Sequence, residues 1–424
     1  MKIGIDLDNT IINYSKIWEE VAETDHNPKE KLKASLSNNE WIKIQGFVYG
    51  KKIHKASVSE DWHTLFKFLQ SQGHHVEIIS HKSIKSLCGT YNLQNEALIF
   101  LKNQKLDNVK TTFLETHEEK INYINQQKFS FFADDLESVL TSQESAIPLF
   151  YGSSHQFLPY FNNASEIFNF FKELQTKEVT KSSRTSFITD KYFFKYHLSK
   201  ARQERDIFFC KQTNIKFKIH HNFVKTARID NLKEISFLDK TKASLICKKI
   251  KDNTKIKCDF LAADSLVNPN LIDDLIEKVS TNPTSYREYL LAVIHKLDFQ
   301  YTMIKNPVYT NPDLHPENIK FKNDQAIIFD HESAGLDDPM RALINFIHHP
   351  KNELDTHSNV IFINEFKNEF NEYLHKQNIE TCFNYTSILW LDILSKNRKD
   401  IDPYIEECRK GLIFSWKKDL YEQF

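Results

Sequence analysis

Three short apolar runs in the first 135 residues end on oxygen-bearing side chains, and this pattern constrains the fold more than any other feature. Lys2-Ile3-Gly4-Ile5 runs into Asp6-Leu7-Asp8-Asn9-Thr10. His75-Val76-Glu77-Ile78-Ile79 runs into Ser80. Phe129-Ser130-Phe131-Phe132-Ala133 runs into Asp134-Asp135. Helical patterns lie between the runs. A strand, a helix and a strand in repeated order predict an α/β domain on a parallel sheet. In such sheets ligands bind beyond the carboxyl ends of the strands, where helix amides are free.

The intervening elements are legible too. Residues 11 to about 24 read as a helix (Ile11, Ile12, Ile17, Trp18, Val21), and 11–58 as a small insertion placed over the strand ends. A helix at about 60–72 (Trp62, Leu65, Phe68, Leu69) closes at Gly73, a favoured C-terminal residue. A helix at about 93–104 precedes a short strand, Thr111-Thr112-Phe113-Leu114. Thr116-His117-Glu118-Glu119-Lys120 opens the next helix, and residues 150–173 hold a final strand and a Phe-rich helix.

Two carboxylates two residues apart at the mouth of a buried strand suit two jobs. Asp6 is placed as a nucleophile toward phosphorus, and Asp8 as a general acid and then a general base. Negative charge so concentrated calls for a divalent cation, so Mg²⁺ is implied. Asp-Asn-Thr after a strand is also an ordinary turn and helix cap. The spaced residues together resemble the haloacid dehalogenase superfamily of phosphatases, over residues 1 to about 170. On that resemblance Asp6 forms an aspartyl-phosphate, and Asp8 protonates the leaving group and then activates water. Thr10, Ser80 and Lys120 contact phosphoryl oxygens, and Asp134 with Asp135 holds Mg²⁺ alongside Asp6 and Asp8. The presence of Asp8 favours phosphoryl transfer over halide displacement, which needs no acid there. His81 reads as a strand-end polar residue, with substrate contact as the alternative.

Composition narrows the class. Lys+Arg of 56 against Asp+Glu of 57 leaves a net charge of -1, giving no basic excess for nucleic acid and no polybasic tail for a membrane surface. No apolar run approaches a bilayer span, and the N-terminus reads as a strand rather than a signal peptide. Six scattered cysteines (Cys88, Cys210, Cys247, Cys258, Cys382, Cys408) form no CxxC, which suits a reduced, cytoplasmic compartment.

Residues 174–184 are polar and read as a linker, and 185–424 as a second domain. It begins with a hairpin, Phe187-Ile188-Thr189 and Tyr192-Phe193-Phe194-Lys195-Tyr196, then a helix at about 199–212 carrying Glu204. A strand Lys paired with a helix Glu positions the Lys for nucleotide phosphates. Further strands are expected at Asn222-Phe223-Val224, Ile235-Ser236-Phe237-Leu238 and Ser244-Leu245-Ile246-Cys247. The informative stretch is Asn311-Pro312-Asp313-Leu314-His315-Pro316-Glu317-Asn318-Ile319, followed by Ala326-Ile327-Ile328-Phe329-Asp330. An Asp, an Asn five residues on and a strand ending in Asp is the set that kinases use to take the acceptor's proton and hold Mg²⁺ on ATP.

The wording Asp-Leu-His-Pro-x-Asn-Ile, with Ala334-Gly335-Leu336-Asp337-Asp338-Pro339 after it, resembles the aminoglycoside phosphotransferase and choline kinase family. That resemblance implies a two-lobed α+β kinase-like domain, with an N-lobe at about 185–260 and a C-lobe at about 261–424. It makes Asp313 the base, Asn318 and Asp330 metal ligands, and Lys195 a phosphate contact paired with Glu204. Departures are Asn311 where the family has His, and Ala342 where it has Asp. None of the eight glycines lies between 153 and 334, so Ser182-Ser183-Arg184-Thr185-Ser186 stands in for a glycine-rich phosphate loop. His348-His349 has no partner at metal-ligand spacing, and the C-terminal aromatic stripes read as core.

The expected protein is α/β: a Rossmann-like parallel-sheet phosphatase domain (1–173) with a small cap, joined to a C-terminal two-lobed α+β kinase-like domain. The expected activity is a Mg²⁺-dependent phosphatase with an ATP-dependent kinase for a sugar or other small hydroxyl acceptor, as in surface-polysaccharide supply. The alternative is a phosphatase carrying a degenerate kinase fold that senses nucleotide or binds a partner. A kinase conferring aminoglycoside resistance is a third possibility, but a fused phosphatase gives it no obvious benefit.

Overall fold

The computed structural model describes residues 1–397 apart from 25, 156–157, 175–177, 180–185, 190, 198, 230–231, 297–300, 350–351 and 374–375. Most of the expected linker and all but Ser186 of the expected phosphate loop lie outside the described residues. The chain divides into two compact units, Met1–Lys200 with Phe217–Arg228, and Ala201–Lys216 with Ile229–Phe424.

In the first unit the apolar runs become parallel strands. β1 (Lys2–Ile5) leads to the insertion, which holds α1 (Ser15–Ala22), α2 (Pro28–Ser35), α3 (Asn38–Gly46) and a wide π turn at Phe47–Lys51. Then come α4 (Glu60–Ser71), β2 (His75–His81), α5 (Leu93–Asn103), β3 (Lys110–Leu114) and α6 (His117–Gln127). β4 (Phe131–Asp134), α7 (Glu137–Ser142), β5 (Ile147–Tyr151), β6 (Tyr160–Phe161) and α8 (Ala164–Leu174) complete the layer. The strand order is β3-β2-β1-β4-β5-β6, all parallel. Helices cover both faces of such a sheet, so β1 and β4 are apolar on both sides and buried. Gly4 is needed where they meet, because a Cβ there would lie 2.6 Å from the Phe132 ring. The order reverses between β1 and β4, and this switch point is where doubly wound sheets place their ligands.

A five-stranded antiparallel sheet follows in the same unit, ordered β10-β11-β9-β8-β7. Its strands are β7 (Glu178–Val179), β8 (Ser186–Ile188), β9 (Tyr192–Tyr196), β10 (Phe217–His220) and β11 (Phe223–Ala227). Phe187 of β8 stacks on Phe131 of β4 with ring centroids 5.1 Å apart, and Phe223 packs on Phe170 of α8. The strands expected of a kinase N-lobe therefore share one apolar core with the parallel-sheet layer.

The second unit takes α9 (Lys200–Gln212) from its second residue onward, then α10 (Lys240–Asn253), α11 (Leu271–Ser280) and α12 (Arg287–Lys296). Four short strands, paired β12 with β15 and β13 with β14, and more helices follow: β12 (Val308–Thr310), β13 (Ile319–Lys322), β14 (Gln325–Ile328), β15 (Gly335–Asp337), α13 (Met340–His348), α14 (Thr356–Phe370) and α15 (Lys376–Asn397). Two expected strands are corrected here. Residues 244–247 lie inside α10, because Asp239 caps its first turn and Ala243, Ile246, Cys247 and Ile250 fall on one buried helical face. Residues 235–238 are irregular backbone. The C-terminal aromatic residues, Phe362, Phe366 and Phe370 among them, are core as expected. No described helix is long and apolar enough to cross a membrane.

Candidate functional site

Asp6 is the first residue past β1, and its amide donates to the Ala133 carbonyl of β4 at 2.8 Å. That bond brings the ends of β1 and β4 side by side and sets Asp6 against Asp134. Thr116 caps α6 by accepting from the Glu119 amide, which fixes the turn carrying Lys120. Lys120 is 1% exposed, and its Nζ reaches Asp6 Oδ1 at 2.5 Å and Asp134 Oδ2 at 2.6 Å. Asp134 Oδ1 accepts the Leu136 amide at 2.8 Å, which orients the second carboxylate. Donor oxygens of Asp6, Asp134 and Asp135 all lie within 4.8 Å of one another. The structure thus brings together four residues expected at the site from sequence.

The electrostatics follow from burial. Desolvation pushes the Asp6 carboxyl well above the usual range; Lys120 opposes the shift, and Asp134, Asp135 and Asp8 add to it. Asp135 is pushed up to about 7, by burial first and by Asp134 next. Burial alone would lower the Lys120 pKa, but Asp6 and Asp134 outweigh it and raise it. Three crowded carboxylates and one ammonium leave excess negative charge, and an all-oxygen donor set is what Mg²⁺ takes. The residues present fit that ion.

Asp8 has different neighbours. Tyr14 donates to its Oδ1 at 2.6 Å, Ser80 donates to Oδ2 at 3.3 Å, and Lys82 lies 3.0 Å from Oδ2. Its carboxylate is therefore turned toward β2 and the insertion, not into the Asp6–Asp134–Asp135 group. Thr10 is buried, and its hydroxyl has no hydrogen-bond partner among the described residues. The tight turn is real: Asn9 is left-handed at φ 63°, and Ile11 and Ile12 both return amides to the Leu7 carbonyl. The insertion lends an aromatic cluster, in which Tyr14 packs on Tyr49 at 4.8 Å, Trp18 stacks on Trp41 at 5.6 Å and Trp18 meets Tyr49 at 5.8 Å. His81 is exposed and bonds the Glu115 carbonyl at 3.0 Å, as a strand-end polar residue does.

Sequence reasoning missed Lys82, Tyr14 and Tyr49. Lys82 carried a signal, standing two residues beyond Ser80 where strand β2 empties into the site. The tyrosines carried none, because their role depends on how the insertion packs.

In the second unit the β13–β14 hairpin performs the positioning. Ile319 pairs with Ile328, and the Phe329 amide donates to the Asn318 carbonyl at 2.8 Å, so Asn318 and Asp330 flank the open end of one hairpin. Asn318 Nδ2 donates to the Asp313 carbonyl at 3.0 Å. Asn311, a departure in sequence, acts as a brace: its Nδ2 donates to the Asp330 carbonyl at 3.0 Å and its Oδ1 accepts the Asp313 amide at 3.1 Å. Asp330 itself is left-handed at φ 60°, a strained setting for a residue with a Cβ. His349 finds neighbours that spacing could not reveal, stacking on His315 at 3.9 Å and standing 3.9 Å from Asp313. Lys195 is buried on β9 in the first unit, and Glu204 is exposed on α9 in the second.

No protein-family model and no curated protein matches the sequence. Among solved structures, the chain is similar to an ADP-bound aminoglycoside phosphotransferase at 14% identity and TM-score 0.42, covering 59% of this chain and 97% of that one. It is similar to the choline kinase LicA of Streptococcus pneumoniae at 15% identity and TM-score 0.38, covering 54% and 89%. A choline kinase of Cryptosporidium parvum aligns at 12% identity and TM-score 0.42, covering 58% and 90%. Similarity at this level fixes no activity.

Proposed function

We propose that the chain carries two phosphoryl-transfer sites: a Mg²⁺-dependent phosphomonoester hydrolase in the first unit and an ATP-dependent small-molecule kinase whose catalytic loop is in the second. The hydrolase reading rests on one observation, that Lys120 bridges Asp6 and Asp134 at the β1–β4 switch point. Asp6 attacks phosphorus, the bond to the leaving oxygen breaks, and Asp8 supplies that oxygen's proton. Water then attacks the aspartyl-phosphate, Asp8 takes the water's proton, and phosphate leaves with Asp6 restored. Lys120 and the Ser80 and Thr10 hydroxyls balance charge on the transferring oxygens. Asp6, Asp134 and Asp135 would hold Mg²⁺, which neutralises charge on the phosphoryl group when bound.

In the kinase reading Asp313 takes the proton of the acceptor hydroxyl, and Asn318 and Asp330 would hold the metal on ATP. Two such activities on one chain suit a metabolite, such as a sugar, phosphorylated at one hydroxyl and dephosphorylated at another. A second reading keeps the hydrolase and makes the kinase-like part a nucleotide sensor or partner-binding module; the absence of any glycine between 153 and 334 favours it.

Phosphorus NMR of the protein with Mg-ATP and a panel of sugars, sugar phosphates and amino alcohols tests the proposal. Asp6→Asn and Asp313→Asn variants run alongside. A new phosphomonoester that needs Asp313, and phosphate release that needs Asp6, are the expected results. ATP left untouched across the panel would favour the sensor reading. No Asp6-dependent phosphate release would overturn the hydrolase.

A further inference from the structure

Lys82 is an expensive residue to place where it stands. It is 3% exposed. Its backbone is fixed at both ends of the peptide: its amide donates to the Leu114 carbonyl at 3.0 Å, and its carbonyl accepts Gln94 Nε2 at 2.8 Å. Its ammonium faces Asp8 Oδ2 at 3.0 Å and lies 5.6 Å from the centre of the Tyr49 ring. An ammonium has three donors. Here a single carboxylate oxygen, already shared with Ser80, is its ion-pair partner among the described residues. Burying a charge with so little compensation is costly unless another group completes the pairing.

On the hydrolase reading, Asp8 serves the leaving oxygen, so the Lys82 ammonium 3.0 Å from Asp8 stands on the leaving-group side of the site, enclosed by Asp8 and Tyr49. A second negative group on the leaving alcohol, close to the ester oxygen, would complete its pairing. Lys120, on α6, is held instead by Asp6 and Asp134. The two buried ammoniums thus sit on different carboxylates, one at the nucleophile and one at the acid.

We infer that Lys82 is a specificity-determining residue that contacts a second anionic group on the leaving alcohol, so that the substrate of the first unit is a phosphate monoester of an anionic alcohol. This rests on the hydrolase reading above. The carbon skeleton stays open, but the chemistry is narrowed to esters bearing a carboxylate or a second phosphate near the scissile bond.

Matched esters test it on the full chain with Mg²⁺: 2-phosphoglycolate against 2-hydroxyethyl phosphate, and 3-phosphoglycerate against glycerol 3-phosphate. The readout is the ratio of kcat/KM within each pair, for wild type and for Lys82→Met, Lys82→Gln and Lys82→Arg. Wild type is expected to favour the anionic member. Lys82→Met is expected to shrink the ratio by about tenfold to a hundredfold, the worth of a hydrogen bond to a charged group, with partial recovery in Lys82→Arg. Lys82→Gln gives the same reading if the Met variant fails to fold. Calorimetric binding of 2-phosphoglycolate in an Asp6→Asn background should weaken similarly on adding Lys82→Met. If Lys82 only braces Asp8, both members of each pair fall together and the ratio holds, which overturns the inference and leaves the hydrolase standing. A wild-type preference for the neutral esters overturns it as well. If no ester releases phosphate in an Asp6-dependent way, the hydrolase reading fails and takes the inference with it.

Discussion

Replacing Lys120 with Met tests the electrostatic arrangement at the switch point. The methylene stem is preserved and the ammonium is lost. Asp6 and Asp134, 4% and 0% exposed, are then left facing one another without the cation that stands 2.5 and 2.6 Å from them. Breaking a buried pair by removing one partner costs about 3–5 kcal/mol. Spread over a unit of this size, that lowers its melting temperature by roughly 10 °C. The loss has a definite pH sign. The Asp6 carboxyl is already raised above its unfolded value, so the native state binds more protons than the unfolded state between those values, and stability falls as pH rises. Without Lys120 the carboxyl rises further, and the deficit of the variant should grow from pH 5 to pH 8. A divalent cation supplies the missing charge, so Mg²⁺ should raise the melting temperature of Lys120→Met more than that of wild type. Thermal unfolding by circular dichroism in EDTA and in Mg²⁺, at both pH values, reads all three effects. A deficit below about 1 kcal/mol in EDTA, far under the cost of stranding two buried carboxylates, would refute the reasoning. So would equal Mg²⁺ effects in both proteins.

Further outcomes follow from the same geometry. Because Asp135 is pushed up to about 7, protons compete with Mg²⁺ below that pH; affinity should rise between pH 6 and pH 7 and level off above, with proton release measurable by calorimetry in buffers of different ionisation enthalpy. Asn311→Ala removes the brace between Asp313 and Asp330 and should lower kcat for ATP-dependent transfer, with a stability loss of about 1–3 kcal/mol in denaturant unfolding. Gly4→Ala forces a Cβ against the Phe132 ring and should destabilise the first unit by about 1–3 kcal/mol, read by urea unfolding, with phosphate release falling in parallel.

The parallel sheet was legible because its strands are apolar on both faces and punctuated by helices of ordinary length. The expected boundaries of β1, β2 and α4 fall within a residue or two of those observed. Asp6, Lys120, Asp134 and Asp135 converge as expected, since strand order alone brings β1 beside β4 and α6 leads into β4. The two tyrosines escaped because their meaning comes from how the 11–58 insertion packs, whereas Lys82 carried a signal in its place two residues beyond Ser80, although its meeting with Asp8 is set only by the fold. His349 meets His315 across 34 residues of chain, a distance that spacing rules do not bridge. The strand misread at 244–247 shows the ambiguity of short apolar runs: Leu245-Ile246-Cys247 suits either period until the Asp239 cap and the buried face at Ala243 and Ile250 are seen. The grouping of β7–β11 with the parallel-sheet core had no sequence signal, because aromatic residues such as Phe187 and Phe223 say that a face is buried, not against what.

Trapping the covalent intermediate tests the central claim most directly. The protein is mixed with Mg²⁺ and a turning-over phosphate ester, quenched with borohydride, digested and analysed by mass spectrometry. Hydride reduces an aspartyl-phosphate to homoserine as phosphate leaves. The account predicts homoserine at position 6, absent from Asp6→Asn and absent without substrate. Phosphate release with Asp6 unmodified, or modification at another carboxylate, would contradict it.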